Sequence, residues 1–393
     1  MTTPLSVYIH IPFCEVKCGY CDFFSVPRGH DDFSLQGLYT KALIQEIQER
    51  ASRVGPREIQ TLFLGGGTPS LMQPALIEEI LVTLQRHFRW GAETEITLES
   101  NPKTVSREKL GAFRQLGINR LSLGVQSFQD NYLKVMGRIH SGDEAKRTLT
   151  DAREAGFENL GLDLIYALPG QTVEEFEKEL QTALSFETTH LSAYCLTIEE
   201  GTPFETLYAR GSLRLPEEEV QMKMFEYLQG DRLKFSGLSP YEISNFARPG
   251  FECRHNLNYW NYGEYLGFGA GAVSYSRSQL RAVGRRNESP VHCYGSRRQN
   301  VRDLKRYLQG EWEDHTEEIS IETAMGEFMM MGLRKRVGVS EDDFCRKFGR
   351  SMKEIYGPVL AKLHEKGSMG EENGRWFLTR EAIPLTNEIL VQF

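Results

Sequence analysis

Six times between Ser6 and Ile198 the chain passes through a short strand-like run: "SVYIHIPF", "TLFLGGG", "EITLESN", "RLSLGVQSF", "LGLDLIYALP" and "HLSAYCLTI". Amphipathic stretches separate them, among them "LYTKALIQEIQERA", "PALIEEILVTLQRHF" and "TVEEFEKELQTALSF". These place apolar residues at i, i+3, i+4 and i+7, the helical period. Ser106 and Thr172 stand where helix N-caps belong. Strand–helix alternation of this kind implies parallel strands joined by right-handed crossovers. Six units are too few for an eight-fold barrel, so the expected fold class is α/β, a partial (β/α)6 barrel. Ligands of such folds sit at the carboxyl ends of the strands.

The 393 residues suggest two or three domains. We expect the barrel over 1–202 and an extension over 203–318. The extension contains a helix, "PEEEVQMKMFEYLQG", and then "YEISNFARPGFECRHNLNYWNYGEYLGFGAGAVSY", which reads as strands and turns rather than helix. Residues 319–393 read as helices followed by a hairpin, "SMGEENGRWFLT", a small winged-helix-like module. The net charge of −8 argues against nucleic-acid binding. No apolar run approaches the roughly 20 residues of a membrane span, and "MTTPLSVYIHIPF" lacks the layout of a secretory signal.

Seven cysteines, an odd number with three crowded together, do not form a disulfide framework. They point to a reducing compartment, the cytoplasm. Cys14, Cys18 and Cys21 are spaced C-x3-C-x2-C directly after the first strand. Thiolates suit iron–sulfur clusters, and three of them leave one iron of a cube open to another ligand, the logic of an open metal site. The alternative is a zinc site completed from elsewhere, with His10 as one candidate.

The cysteine spacing, the "GGGTP" after the second strand and the partial barrel resemble the radical S-adenosylmethionine (SAM) superfamily. That resemblance implies a 4Fe-4S cluster on Cys14, Cys18 and Cys21, with SAM on the fourth iron and an electron donor to reduce it. "YIHIPFC", "LFLGGGTPS", "GVQSF" and "DLIYALPGQT" resemble the HemN-like branch, which includes oxygen-independent coproporphyrinogen III dehydrogenase. By the same resemblance Tyr8 and Tyr20 flank SAM, Gly66, Gly67 and Thr68 hold its amino group, and Glu99, Gln126, Arg138 and Asp163 line the rest of the pocket. Read as residues alone, "GGGTP" is also a tight βα turn, the two acids also fit an internal salt bridge with Arg138, and Gln126 also fits a backbone contact.

Two features depart from the dehydrogenase: Phe23 stands where its pattern has a further cysteine, and only seven residues precede Tyr8. Phe23 and "RHNLNYW" are instead similar to the HemW type, which implies a haem chaperone with haem as cargo and a haem-acceptor protein as partner. His255 is the candidate haem ligand of that segment, and Tyr259 and Trp260 offer flat faces to a porphyrin. A structural turn is the alternative. The radical-enzyme reading, a porphyrin oxidoreductase, remains the competing function. Arginines 277, 281, 285, 286, 297, 298, 302 and 306 could meet haem propionates, an acidic partner or a membrane surface, or form a solvated face.

Overall fold

A computed structural model describes residues 5–27, 33–283 and 291–393. Six strands form the expected parallel run: β1 (Leu5–Ile11), β2 (Ile59–Gly66), β3 (Glu95–Ser100), β4 (Arg120–Gln126), β5 (Asn159–Tyr166) and β6 (His190–Cys195). Each pairs in parallel with the next. Helices α1 (Phe33–Val54), α2 (Pro74–His87), α3 (Arg107–Gln115), α4 (Gly142–Glu154) and α5 (Val173–Ser185) make crossovers. Strand residues such as Val7, Ile9, Leu64, Leu98, Leu123 and Leu162 are buried, as strands covered on both faces require. The caps form as the sequence indicates. Ser106 Oγ accepts the Lys109 amide, and Thr172 and Glu175 make a reciprocal capping box.

Beyond β6 the chain lays down α6 (Arg254–Trp260), β7 (Tyr265–Phe268), β8 (Val273–Val283), β9 (Val291–Asn300) and β10 (Glu313–Ser320). Strand β7 pairs in parallel with the free side of β1, and β8, β9 and β10 follow antiparallel. On the far side β6 takes Asn245–Ala247 antiparallel. The barrel is therefore open, and among the described residues its sheet grows outward from both of its edges to twelve strands.

Arg254–Trp260 corrects the expectation of strands and turns for this stretch. The cause lies elsewhere in the sequence. Buried Glu95, on β3, accepts the backbone amides of Arg254 (3.1 Å) and His255 (3.0 Å), so a barrel carboxylate caps α6.

The C-terminal part holds α7 (Ile321–Gly332), α8 (Glu341–Phe348) and α9 (Met352–Glu365) beside a three-stranded sheet. Its hairpin turns at Asn373-Gly374, both with positive φ, the pair such two-residue turns favour. Helices with a wing are what the sequence led us to expect. The apolar residues gather chiefly in two cores, one inside the barrel wall and one under α7–α9. The middle segment contributes to both: Phe246 and Phe268 to the first, Tyr262 and Tyr275 to the second.

Candidate cluster and cofactor site

At the carboxyl ends of β2–β6 lies an open cavity of about 410 Å³. Cys14, Cys18 and Cys21 all line it, on the loop leaving β1. Tyr20, Gly66, Gly67, Thr68, Glu99, Gln126, Arg138 and Asp163 line it too, from several strands and loops. Residues more than 140 positions apart in sequence thus face one space.

The backbone explains two of these placements. Gly66 has φ +114°, and a Cβ there would lie 2.6 Å from the His10 ring. A Cβ on Gly67 would lie 2.6 Å from the Phe13 carbonyl and 3.0 Å from Cys14 Sγ. The glycines let the turn press against the cysteine loop: the Gly67 amide donates to the Ile11 carbonyl and the Thr68 amide to that of Phe13. The Gly66 amide donates to Glu99 Oε2 at 3.1 Å. These amides serve the fold. An ammonium needs acceptors, and backbone carbonyls of the turn and the Glu99 carboxylate are of that kind. Gln126 sits at a register shift between β4 and β5, with φ +66°. Such a bulge re-aims a side chain.

One polar chain ties two of the cysteines together. Arg138 Nη1 approaches Cys18 Sγ (3.6 Å) while its Nη2 donates to Asn101 Oδ1 (2.6 Å) and the Gly124 carbonyl. Asn101 Nδ2 donates to Thr68 Oγ1 (2.8 Å), whose hydroxyl points to Cys14 Sγ at 3.7 Å. Burial pushes the Cys14 thiol up and the Cys21 thiol up to about 11, so at neutral pH these thiols keep their protons until a metal replaces them. Among the described residues no three His, Cys, Asp or Glu side chains converge on a single ion. Three thiols facing one cavity can each bind a separate iron of a multi-iron cluster.

Burial, then the neighbouring charge of Asp163, raises Glu99 to about 7. Burial also raises Asp163, against a hydrogen bond from Ser122 (3.3 Å). Two carboxylates held in one partly dry space call for a cation. The donor set therefore fits SAM, which carries a sulfonium and an ammonium.

Residues 8–183 match the radical SAM superfamily, and residues 319–385 match the HemN C-terminal domain. The heme chaperone HemW of Bacillus subtilis is 37% identical over 99% of this chain and 98% of its own length. That of Escherichia coli is 33% identical over 99% of this chain and 98% of its own. The chain belongs to the HemW family of the radical SAM superfamily. Its fold is shared with coproporphyrinogen III oxidase (HemN) from Escherichia coli, at a TM-score of 0.80, covering 99% of this chain and 89% of that one at 24% identity.

Two residues proposed for the HemW cofactors lie apart from the cavity. Tyr8, on β1, hydrogen-bonds His10 Nδ1 (3.0 Å), stacks on Phe63 and lines a separate groove. His255 is 1% exposed. The Thr61 hydroxyl donates to Ser6 Oγ, so its lone pair takes Nδ1–H of His255 (2.8 Å), and Nε2 accepts the Tyr259 hydroxyl (2.9 Å). Burial lowers His255 to about 3, which keeps it neutral. In this arrangement both ring nitrogens are engaged inside the protein, and neither is offered to an external iron. Trp260 lies under the Arg334 guanidinium, 5.0 Å from the ring centre.

Three arginines of the arginine-rich stretch pair with neighbouring acids. Arg297 pairs with Glu317 and Glu327, Arg298 with Glu313, and Arg306 with Glu311 and Asp314. Arg302 is exposed and donates to the Asp22 carbonyl. Arg285 and Arg286 lie outside the described residues. Asn101 is the residue the sequence reading missed. Its place after "EITLES" at a strand's carboxyl end was the available signal.

Proposed function

We propose that this chain is a haem chaperone: it binds haem and passes it to an acceptor protein, while carrying a 4Fe-4S cluster on Cys14, Cys18 and Cys21 and SAM in the adjoining cavity. The observation that carries the reading is similarity to HemW chaperones from end to end, joined to three cysteines facing one cavity with paired acids. When bound, such a cluster supplies single electrons and one iron open to an exchangeable ligand.

The chain's own residues do the holding. Arg138 and Thr68 direct donors at the Cys18 and Cys14 sulfurs. Glu99 and Asp163 would face the cationic groups of SAM, with Gln126, Tyr20 and the Gly66–Thr68 turn around the remainder. As part of the same proposal, 1–202 carries the cluster, 203–318 links the two cores, and 319–393 is the partner-facing module. The acceptor, a membrane-associated protein being one option, an electron donor and a cytoplasmic setting complete it, with no nucleic acid involved. Among the described residues no helix is long and apolar enough to cross a membrane.

The test is anaerobic reconstitution with iron and sulfide, followed by parallel haem titration and a coproporphyrinogen assay. We expect cluster iron and sulfide that are lost in a Cys14→Ser/Cys18→Ser/Cys21→Ser variant, saturable haem binding, and no porphyrin product. Porphyrin formation without haem binding would replace this reading with the dehydrogenase; zinc in place of iron and sulfide would end both.

A further inference from the structure

A second space adjoins the first. It is an open groove of about 280 Å³ where β1, β7 and the start of β8 meet the cysteine loop. Tyr8, Phe23, Phe24, Tyr259 and Tyr265 wall it, and Arg302 stands at its rim. Asp22 and Phe23 line this groove and the cluster cavity alike. Phe23 is 61% exposed, a large apolar ring left in water beside two openings. A contiguous apolar lining with a polar rim marks a ligand groove, and Phe23 shares this one with Tyr8, Phe24, Tyr259 and Tyr265. Tyr259 and Tyr265 meet edge to face at 4.7 Å, and Gly271, with φ +79°, leaves room for the Phe24 ring.

Resting on the haem-chaperone reading, we infer that the tetrapyrrole cargo seats in this groove, its ring against the aromatic walls and a propionate on Arg302, and not on the His255 imidazole. Flat aromatic walls select a flat ring, and a guanidinium at the rim selects a carboxylate at the ring's edge. The groove is below the size that encloses a drug-sized molecule, so a tetrapyrrole would be held by one edge with the other free. A carrier that must hand its cargo on needs that geometry. The histidine lining the groove offers the iron nothing: His10 Nδ1 accepts from Tyr8 and Nε2 donates to the Phe24 carbonyl. His255 acts at one remove. Its Nε2 holds the Tyr259 hydroxyl, and Tyr259 is a wall of the groove. It is a positioning residue, which accounts for the His-Asn-x-x-Tyr-Trp segment without placing its histidine on iron.

Haem titration of the full-length protein separates the possibilities. Arg302→Glu should weaken haem binding about tenfold or more, the size of a lost charge-assisted bond. Arg302→Lys should recover most of it. Haem dimethyl ester, whose propionates are blocked, should bind wild type and Arg302→Glu alike. At saturating haem His255→Gln should leave the shape and position of the Soret band unchanged, while the loosened Tyr259 wall raises the haem concentration needed for saturation. A wild type that binds no haem defeats the chaperone reading itself. A wild type that binds haem while Arg302→Glu binds equally well, or a Soret band lost at saturating haem in His255→Gln with an unchanged melting temperature, defeats the groove assignment and leaves the chaperone reading standing.

Discussion

Glu99 is the residue most sensitive to what fills the cavity. Burial and the charge of Asp163 hold it near 7, well above its ordinary range. The raised value means the folded apo chain keeps a proton that the unfolded chain has released, so this group favours folding at acid pH. That contribution is lost as pH rises from the usual glutamate range through about 7. A cationic ligand reverses the preference, since it needs the carboxylate. SAM affinity, measured by calorimetry on the reconstituted protein, should therefore rise between pH 6 and 8 by several-fold, and Glu99→Gln should flatten that profile. An equally steep profile in the variant would show that another group titrates. At this scale the sequence was informative about type and poor about partner. An acid in an apolar strand announces a need for a cation or a donor. Nothing in "EITLES" shows that the Gly66 amide and Asp163 are its neighbours, because β2 and β5 supply them. His255 shows the converse. Its residue type pointed to iron, and packing assigned both nitrogens to Thr61 and Tyr259.

Among the elements, α6 depends for its existence on another element. Seven residues make a marginal helix, and Cys253 provides no side-chain cap. Glu95 supplies one from β3. Glu95→Ala would leave the buried His255 amide and the part-buried Arg254 amide without acceptors, and we expect a loss of about 2 kcal/mol in urea unfolding. Tyr259 should show it locally through faster hydrogen exchange at 254–260 than in the barrel strands. The periodic elements were legible because their pattern is written within each segment: apolar alternation in the strands, Ser106 and Thr172 at helix starts, Asn373-Gly374 at the hairpin. Helix α6 was not, since its cap lies about 160 positions upstream. Strand β7 was likewise hidden among turns; only its pairing with β1 makes it a strand of the barrel sheet.

For the molecule as a whole, the middle segment binds two cores into one body. Glu46, fully buried on α1, accepts bonds from Arg50, Asn300, the Gly269 amide and the Tyr307 hydroxyl, which locks the extension to the barrel. Toward the C-terminal core, Glu327 takes the Tyr262 hydroxyl (2.7 Å) and Arg297 (2.6 Å). Glu327→Ala should cost about 1–2 kcal/mol, and thermal unfolding should split, with the far-UV signal of the barrel persisting above the loss of the helical core. A single shifted transition would mean that the two cores are coupled by other contacts. These long-range ties are what a linear reading cannot provide, since their partners differ by tens to hundreds of positions.

A sheet twelve strands wide has to stop somewhere, and strand ends invite other strands. Here the last strand, β10, is Glu-Asp-His-Thr-Glu-Glu-Ile-Ser, and its carboxylates are held along the border by arginines of the neighbouring strand and helix. Two copies meeting border to border would bring like charges face to face. The same acids that hold the ribbon's shape thereby oppose its pairing, edge to edge, with a second copy.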